Sequence, residues 1–304
     1  MRTLAALPVT LLAVAVACSC GGASSTPTEP KGPPPEALPS SLTGKIVFVR
    51  AADGANELMT MNPDATGVSG LGIEGFKPNV SPDGRRIVFA TRTQNSSVLD
   101  LSNGRLTVVG TGAISPRWSP DGRKIVFWKL GTGPKDIWVM DADGSNQVRL
   151  TNGGGENLEA DFSPDGSRIV FRRNTGDGGD LWTMNADGTG ASLLYAGERM
   201  DSDARWSPDG TRIAFVSIVP SGSTGTTSEI FVINADGSSL VRLTQSGENW
   251  SPTWSPDGSR IAFFGFRNGP AESDLLTVRP DGTDLKLLLG GATNDHGPAY
   301  GPAP

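Results

Sequence analysis

Acids, amides and one tryptophan recur at five of six equivalent places in a repeated pattern: Glu74; Glu156, Asn157 and Glu159; Glu198, Asp201 and Asp203; Glu248, Asn249 and Trp250; Asn294, Asp295 and His296. Carboxylates clustered on loops steer a basic or amine-bearing surface, and a tryptophan that no repeated core position requires is suited to anchor it. The candidate partner-binding set is therefore Glu156, Asn157, Glu198, Asp201, Glu248, Asn249, Trp250, Asp295 and His296. A second reading gives Glu156, Glu198 and Glu248 acid and base roles at a glycosidic bond, with Trp250 as a platform for a sugar ring. Arg50, Arg92, Lys129, Lys135, Arg172, Arg173 and Arg267 fall in a separate set of variable segments, so an acidic centre inside a partly basic rim is expected.

Several chemistries are excluded. His296 is the only histidine, which removes any site needing two imidazoles, and beside Asp295 it reads as an exposed loop residue. No Gly-x-Ser-x-Gly occurs, so the nucleophile elbow of serine hydrolases is missing. The Asp-x-Asp-Gly phrases, such as Asp141-Ala-Asp143-Gly144, place glycine fourth, whereas an EF-hand loop needs it sixth with glutamate twelfth. No cofactor is expected, and the chain is read as non-catalytic. A net charge of −6, from 26 basic and 32 acidic residues, argues against nucleic acid as a partner.

Residues 1–17 carry one basic residue, Arg2, then an apolar run ending in small residues, which reads as a secretory signal too short to span a bilayer. Ala15-Val16-Ala17-Cys18 resembles a bacterial lipobox with Cys18 as the lipidated residue, and Ser19 after it implies the outer membrane; cleavage after Ala17 by an ordinary signal peptidase is the alternative. A Cys18–Cys20 disulfide would close a very small ring and staple nothing. Residues 18–43 are rich in Pro, Ser, Thr and Gly, without hydrophobic periodicity, and read as an extended tether. The expectation is a monomeric protein of the bacterial cell envelope, facing the periplasm from the outer membrane or free in the periplasm if not lipidated. Its only membrane contact is then the lipid anchor.

What must position the loop residues is a repeat. Val80, Trp118, Phe162, Trp206 and Trp254 each precede Ser-Pro-Asp-Gly, and two residues later comes Ile-Val-Phe or Ile-Ala-Phe. The turn aspartates Asp83, Asp121, Asp165, Asp209 and Asp257 are spaced 38, 44, 44 and 48 apart, a propeller or solenoid period. Proline presets a type I turn and glycine takes the positive φ after it, so each phrase joins two strands. A third strand follows, as in Asp136-Ile-Trp-Val-Met-Asp-Ala-Asp-Gly, then a fourth such as Val148-Arg-Leu-Thr. Four strands make a propeller blade. Where the spacing drops to 38, the third turn is the compact Asn103-Gly104 hairpin.

The two ends complete one another. Lys45-Ile-Val-Phe-Val and Glu57-Leu-Met-Thr-Met match the second and third strands of a blade that lacks its first, and Gly297-Pro-Ala-Tyr300-Gly-Pro matches that first strand. The sequence predicts an all-β, six-bladed propeller over residues 44–304, its ring closed by the C-terminal strand. Arg117, Asp161 and Arg205 hold the same place in three successive blades, so Asp161 is expected to pair with an arginine on either side.

The aromatic-Ser-Pro-Asp-Gly phrase, the Ile-Ala-Phe after it and Asp-Ile-Trp-Val-Met-Asp-Ala-Asp-Gly together resemble the TolB-type propeller repeat over residues 44–302. The resemblance implies the propeller fold and a binding role, toward a protein or cell-wall component. It departs from TolB in lacking the α/β domain before the propeller and in carrying a tether. The carbohydrate-binding or carbohydrate-cleaving propeller is the alternative; the oligogalacturonate lyases that share this repeat use a histidine-rich metal site.

Overall fold

The structure, a computed structural model, describes residues 38–304 except 132, 177, 198, 223–224, 268–271 and 292. The signal segment, Cys18 and most of the segment read as a tether lie outside the described residues, as does Glu198. All regular structure among the described residues is β, in six four-stranded antiparallel sheets.

Each sheet is one blade, and its strands follow in order from the inner to the outer edge. Blade one is Asn294–Tyr300, Ile46–Ala52, Ala55–Met61 and Ser69–Glu74; blade two is Phe76–Val80, Arg86–Ala90, Asn95–Asp100 and Arg105–Thr111. Blade three is Ala113–Trp118, Lys124–Lys129, Asp136–Asp141 and Val148–Arg149; blade four is Glu156–Phe162, Arg168–Asn174, Gly179–Asn185 and Ser192–Tyr195. Blade five is Asp201–Trp206, Arg212–Ser221, Gly225–Asn234 and Val241–Arg242; blade six is Glu248–Trp254, Ile261–Phe266, Asp274–Val278 and Lys286–Leu289. The inner strands touch their neighbours in succession around a ring.

Closure follows the expected register. Tyr300 lies opposite Ile46 and Ala299 opposite Val47, and backbone bonds run from Gly301 N–H to Lys45 C=O (2.8 Å) and from Gly44 N–H to Pro302 C=O (2.8 Å). The folded body begins before Gly44, because Leu42 is fully buried at the join of blades one and two and Leu38 packs on the same core.

The repeated phrases are explained by seams between blades. The phenylalanine of each second strand (Phe48, Phe89, Phe127, Phe171, Phe215 and Phe263) has no exposed surface, so every blade contributes one large apolar group to the packing. Trp118 and Trp254 end their inner strands under guanidinium groups of the preceding blade, with Arg86 at 4.5 Å and Arg212 at 5.0 Å from the ring centroids. In the Ser-Pro-Asp-Gly turn the serine and aspartate lock the backbone: Ser119 Oγ donates to Asp121 (2.6 Å) and accepts from Lys124 N–H (2.9 Å), while Asp121 accepts from Arg123 N–H (3.0 Å). These bonds hold the Asp121 carboxyl below its ordinary range. The glycine of the Asp-Gly turns meets a different demand, since a Cβ at Gly144 would collide with the Val109 carbonyl oxygen of the preceding blade.

Candidate functional site

The loop face, opposite the Ser-Pro-Asp-Gly turns, begins with the first residues of the inner strands. Five residues before the terminal aromatic stand Asn157, Asp201, Asn249 and Asp295 in blades four, five, six and one, and all four are buried. Two of them are bolts between blades. Asn157 Nδ2 donates to Asp136 Oδ1 of blade three (3.0 Å), which also accepts from Thr151 Oγ1 (2.6 Å) and is paired with Arg149. Asn249 Nδ2 repeats this toward Glu229 Oε2 (3.1 Å), held by Arg242 (3.0 Å) and Thr244. The Val-Arg-Leu-Thr phrase and the Gly-Glu-Asn phrase that follows it are two halves of one device. A buried carboxylate there is paired and hydrogen-bonded, as its desolvation demands. Asp295 instead takes a two-point contact from Arg50 (2.8 and 2.9 Å).

Between blades four and five the same place is held by two carboxylates, Asp201 and Asp180. Burial pushes the Asp201 carboxyl up to about 6; Ser217 and the Gly197 N–H (2.8 Å) oppose this, while the Asp180 charge adds to it. An acid whose folded pKa is raised costs stability above that pKa and nothing below the unfolded value. Asp201→Asn should therefore stabilise the fold by up to about 3 kcal/mol at pH 7, through lost repulsion and an amide placed as Asn157 and Asn249 are. The gain should fade between pH 6 and 4. Urea melts of both chains across that range decide it, and an equal or lower stability for the variant at pH 7 rejects the account.

Trp250 and His296 are not in loops, a correction to the sequence reading. Both lie in inner strands, four residues before the terminal residue, and both are half-buried. Trp250 packs against the core shared by blades five and six, which includes Val216 and Ile230. His296 lies 5.8 Å from the Phe264 ring, and burial, then the Lys77 charge, pushes its pKa down to about 4. Glu156 and Glu248 open their strands at half-buried positions, bound to Lys135 (3.1 Å) and Ser228 (2.7 Å) respectively. Much of the basic rim is spent on local pairs: Arg50–Asp295, Arg92–Glu74 (3.1 Å), Lys135–Glu156 and Arg172–Glu159 (3.7 Å).

The centre of the molecule holds a feature that sequence reasoning missed. Three residues before its terminal residue, every inner strand carries a residue of positive φ: Lys77 (48°), Ser115 (50°), Glu159 (55°), Asp203 (51°), Ser251 (52°) and Gly297 (60°). Each coincides with a register shift against the second strand, a β-bulge. Only one of the six is glycine, so five side chains are held in a backbone region that disfavours them. The bulges direct polar groups to the axis. Lys77 of blade two donates to both oxygens of Asp203 (3.0 Å each) in blade five, three blades away, and to Ser251 (3.3 Å). Burial raises the Asp203 carboxyl, but the Lys77 and Arg205 charges outweigh it and hold the group well below the usual carboxylate range. A sequence signal was present: the bulge residue precedes proline in Lys77-Pro78, Ser115-Pro116, Ser251-Pro252 and Gly297-Pro298.

The expected pairing of Asp161 is also corrected. No ion pair joins it to Arg117 or Arg205; its Oδ2 accepts the Trp206 backbone N–H (3.1 Å), as Asn79 Oδ1 accepts that of Trp118 (2.8 Å). In sequence the residue presents itself as a charge, whereas the inner strands use it as a backbone cap between blades.

The second signal missed is the spacing of 48 in blade five. Its extra residues lengthen the second and third strands to ten each, paired out to Ser221 and Gly225, where the second strands of other blades run five to seven residues. The lengthened hairpin lies on the loop face and is tied to the start of the Glu248–Trp254 strand, where Thr227 donates to the Gly247 carbonyl and Ser228 to Glu248 (2.7 Å).

Fold and site together define a closed six-bladed β-propeller with a polar, ion-paired axis. The model of the TolB beta propeller domain matches residues 45–303, and the chain belongs to that family. No curated protein sequence matches the chain. Among solved structures it is similar to TolB from Acinetobacter baumannii, with 23% identity, a TM-score of 0.76, and coverage of 87% of this chain and 68% of that one. An Agrobacterium tumefaciens structure described as TolB gives 20% identity and a TM-score of 0.66, covering 83% of this chain and 96% of that one. An oligogalacturonate lyase from Vibrio parahaemolyticus gives 17% identity and a TM-score of 0.57, covering 84% and 77%. At these identities the likeness concerns the fold.

Proposed function

We propose that the protein is a non-catalytic propeller, tethered to the outer membrane of a bacterial envelope through a lipidated Cys18, that binds a protein or cell-wall partner with its loop face. The observation that carries the reading is the contrast between the two faces. One is tiled by near-identical Ser-Pro-Asp-Gly turns, while the other varies from blade to blade and carries the lengthened hairpin of blade five, bonded to Gly247 and Glu248. Variable segments on a rigid scaffold are where binding residues concentrate. The buried Asn157, Asn249 and Asp295 serve as the rigid part, leaving Glu156, Glu248, Trp250 and the hairpin as the contact set. The family membership supports a binding role for the propeller.

Affinity capture from detergent-solubilised envelopes with the intact chain supplies the partner. Trp250→Ala should then raise the off-rate about tenfold, as loss of a buried anchor does. Glu156→Gln with Glu248→Gln should lower the on-rate and its salt dependence, because exposed charge acts through steering over about one Debye length of ~8 Å. Parent-like binding by both variants would show that the loop face is not the interface. Replacing Cys18 by serine should release the chain from membranes; retention there would remove the lipid anchor from the reading.

A further inference from the structure

The end of the channel nearest the Ser-Pro-Asp-Gly turns is a cavity of about 270 Å³. Its mouth is a collar of six prolines, Pro82, Pro120, Pro164, Pro208, Pro256 and Pro302, one from each blade. Its wall includes Arg117, Asp161 and Arg205. Arg117 is only 6% exposed, yet among the described residues it makes no hydrogen bond and no ion pair, and its Nε has no partner. The Nε of Arg205 and the indole N–H groups of Trp118 and Trp206, which line the same cavity, are also unpartnered.

An unpaired buried cation is among the most costly groups a fold can hold. Burial, reinforced by the Arg205 charge, lowers the Arg117 pKa to about 9. The neighbouring charges do not balance. Along this part of the axis the cations Lys77, Arg117, Arg172 and Arg205 face three carboxylates, Glu159, Asp161 and Asp203. The deficit is one negative charge. A planar carboxylate matches the guanidinium fork, supplies that single charge where a phosphate dianion would overshoot it, and allows an apolar substituent to rest in the proline collar.

We propose that this cavity is a binding site for a monocarboxylate with a small apolar substituent, held by Arg117 with Arg205 beside it. The carboxylate belongs either to a free short-chain acid or to the C-terminal residue of a peptide. The site lies at the opposite end of the channel from the loop face and stands independently of the function proposed there.

The test titrates the intact chain with propionate, with phosphate, and with a tetrapeptide ending in valine as free acid and as amide, at ionic strength fixed with chloride. Thermal midpoint and tryptophan fluorescence are read in the parent, Arg117→Gln and Asp161→Asn. Propionate or the free-acid peptide should raise the midpoint and shift the fluorescence in the parent at concentrations where chloride does not. Apparent affinity should fall at least tenfold in Arg117→Gln. It should rise several-fold in Asp161→Asn, which keeps the backbone cap, as Asn79 shows, while removing the competing charge. Binding by propionate and peptide alike assigns a free acid; binding by the free-acid peptide alone, abolished by amidation, assigns a chain end. Equal responses in all three chains, a response to chloride, or phosphate binding tighter than both carboxylates overturns the proposal. If Arg117→Gln does not fold, parent-like affinity in Asp161→Asn overturns it alone.

Discussion

Deleting residues 297–304 should remove more than about 5 kcal/mol of stability, on the scale of the whole stability of a typical domain. The deletion takes away Ala299 and Tyr300 opposite Val47 and Ile46, the bonds from Gly301 and to Pro302, and the inner strand's share of blade one. What remains is a ring open at one seam, with the strand Ile46–Ala52 exposed along an edge whose first four residues are now buried. Urea denaturation of the parent, of the deletion and of a chain lacking only 303–304 measures the effect. The shorter deletion should behave as the parent does, since Ala303 and Pro304 are exposed. A parent-like midpoint for the longer one would mean that closure does not depend on this strand.

The second large effect is expected at the axis. Asp203→Ala should cost about 3–5 kcal/mol, the usual result of removing one partner of a buried ion pair, because Lys77 and Arg205 lose their shared counter-charge while the Arg117 charge stays nearby. Ser251→Ala, which removes only a hydroxyl from the same cluster, should cost about 1 kcal/mol. The folded Asp203 pKa lies below its unfolded value, so its stabilisation is present in full above about pH 4 and is lost as pH falls below that. The parent should therefore lose stability on acidification more steeply than Asp203→Asn does. Combining Lys77→Met with Asp203→Leu should recover part of the loss, since an apolar pair avoids the desolvation of both charges. An Asp203→Ala chain as stable as Ser251→Ala would show that the axial ion pair is solvated and contributes little.

The positions of the functional candidates were less legible than the fold. Trp250 and His296 read as loop residues because nothing around them follows the repeat, yet both are in strands. The reason is local. The bulge at Ser251 and at Gly297 breaks the two-residue alternation from which an inner strand would be recognised, so its first half resembles a loop. Asn157 and Asn249 stand out in the sequence by their chemistry, and that chemistry is used inward, on Asp136 and Glu229. Glu159 and Asp203 stand among the recurring acids, but their role depends on Lys77 and Arg172, which no spacing connects to them.

The sequence by itself determined the six blades, their four strands, the tight turns and the closing strand, because each follows from local chemistry repeated at a fixed period. Proline and glycine set a turn, and Ile-Val-Phe makes a buried strand wherever it stands. Only the tertiary structure decided which charges meet. Lys77 and Asp203 are 126 residues apart, and Asp161 lies between two arginines it does not bond, because a ring brings opposite blades to one axis and fixes their side chains by bulge geometry. A repeat specifies neighbours along the chain. The distances across a closed ring come from closing it.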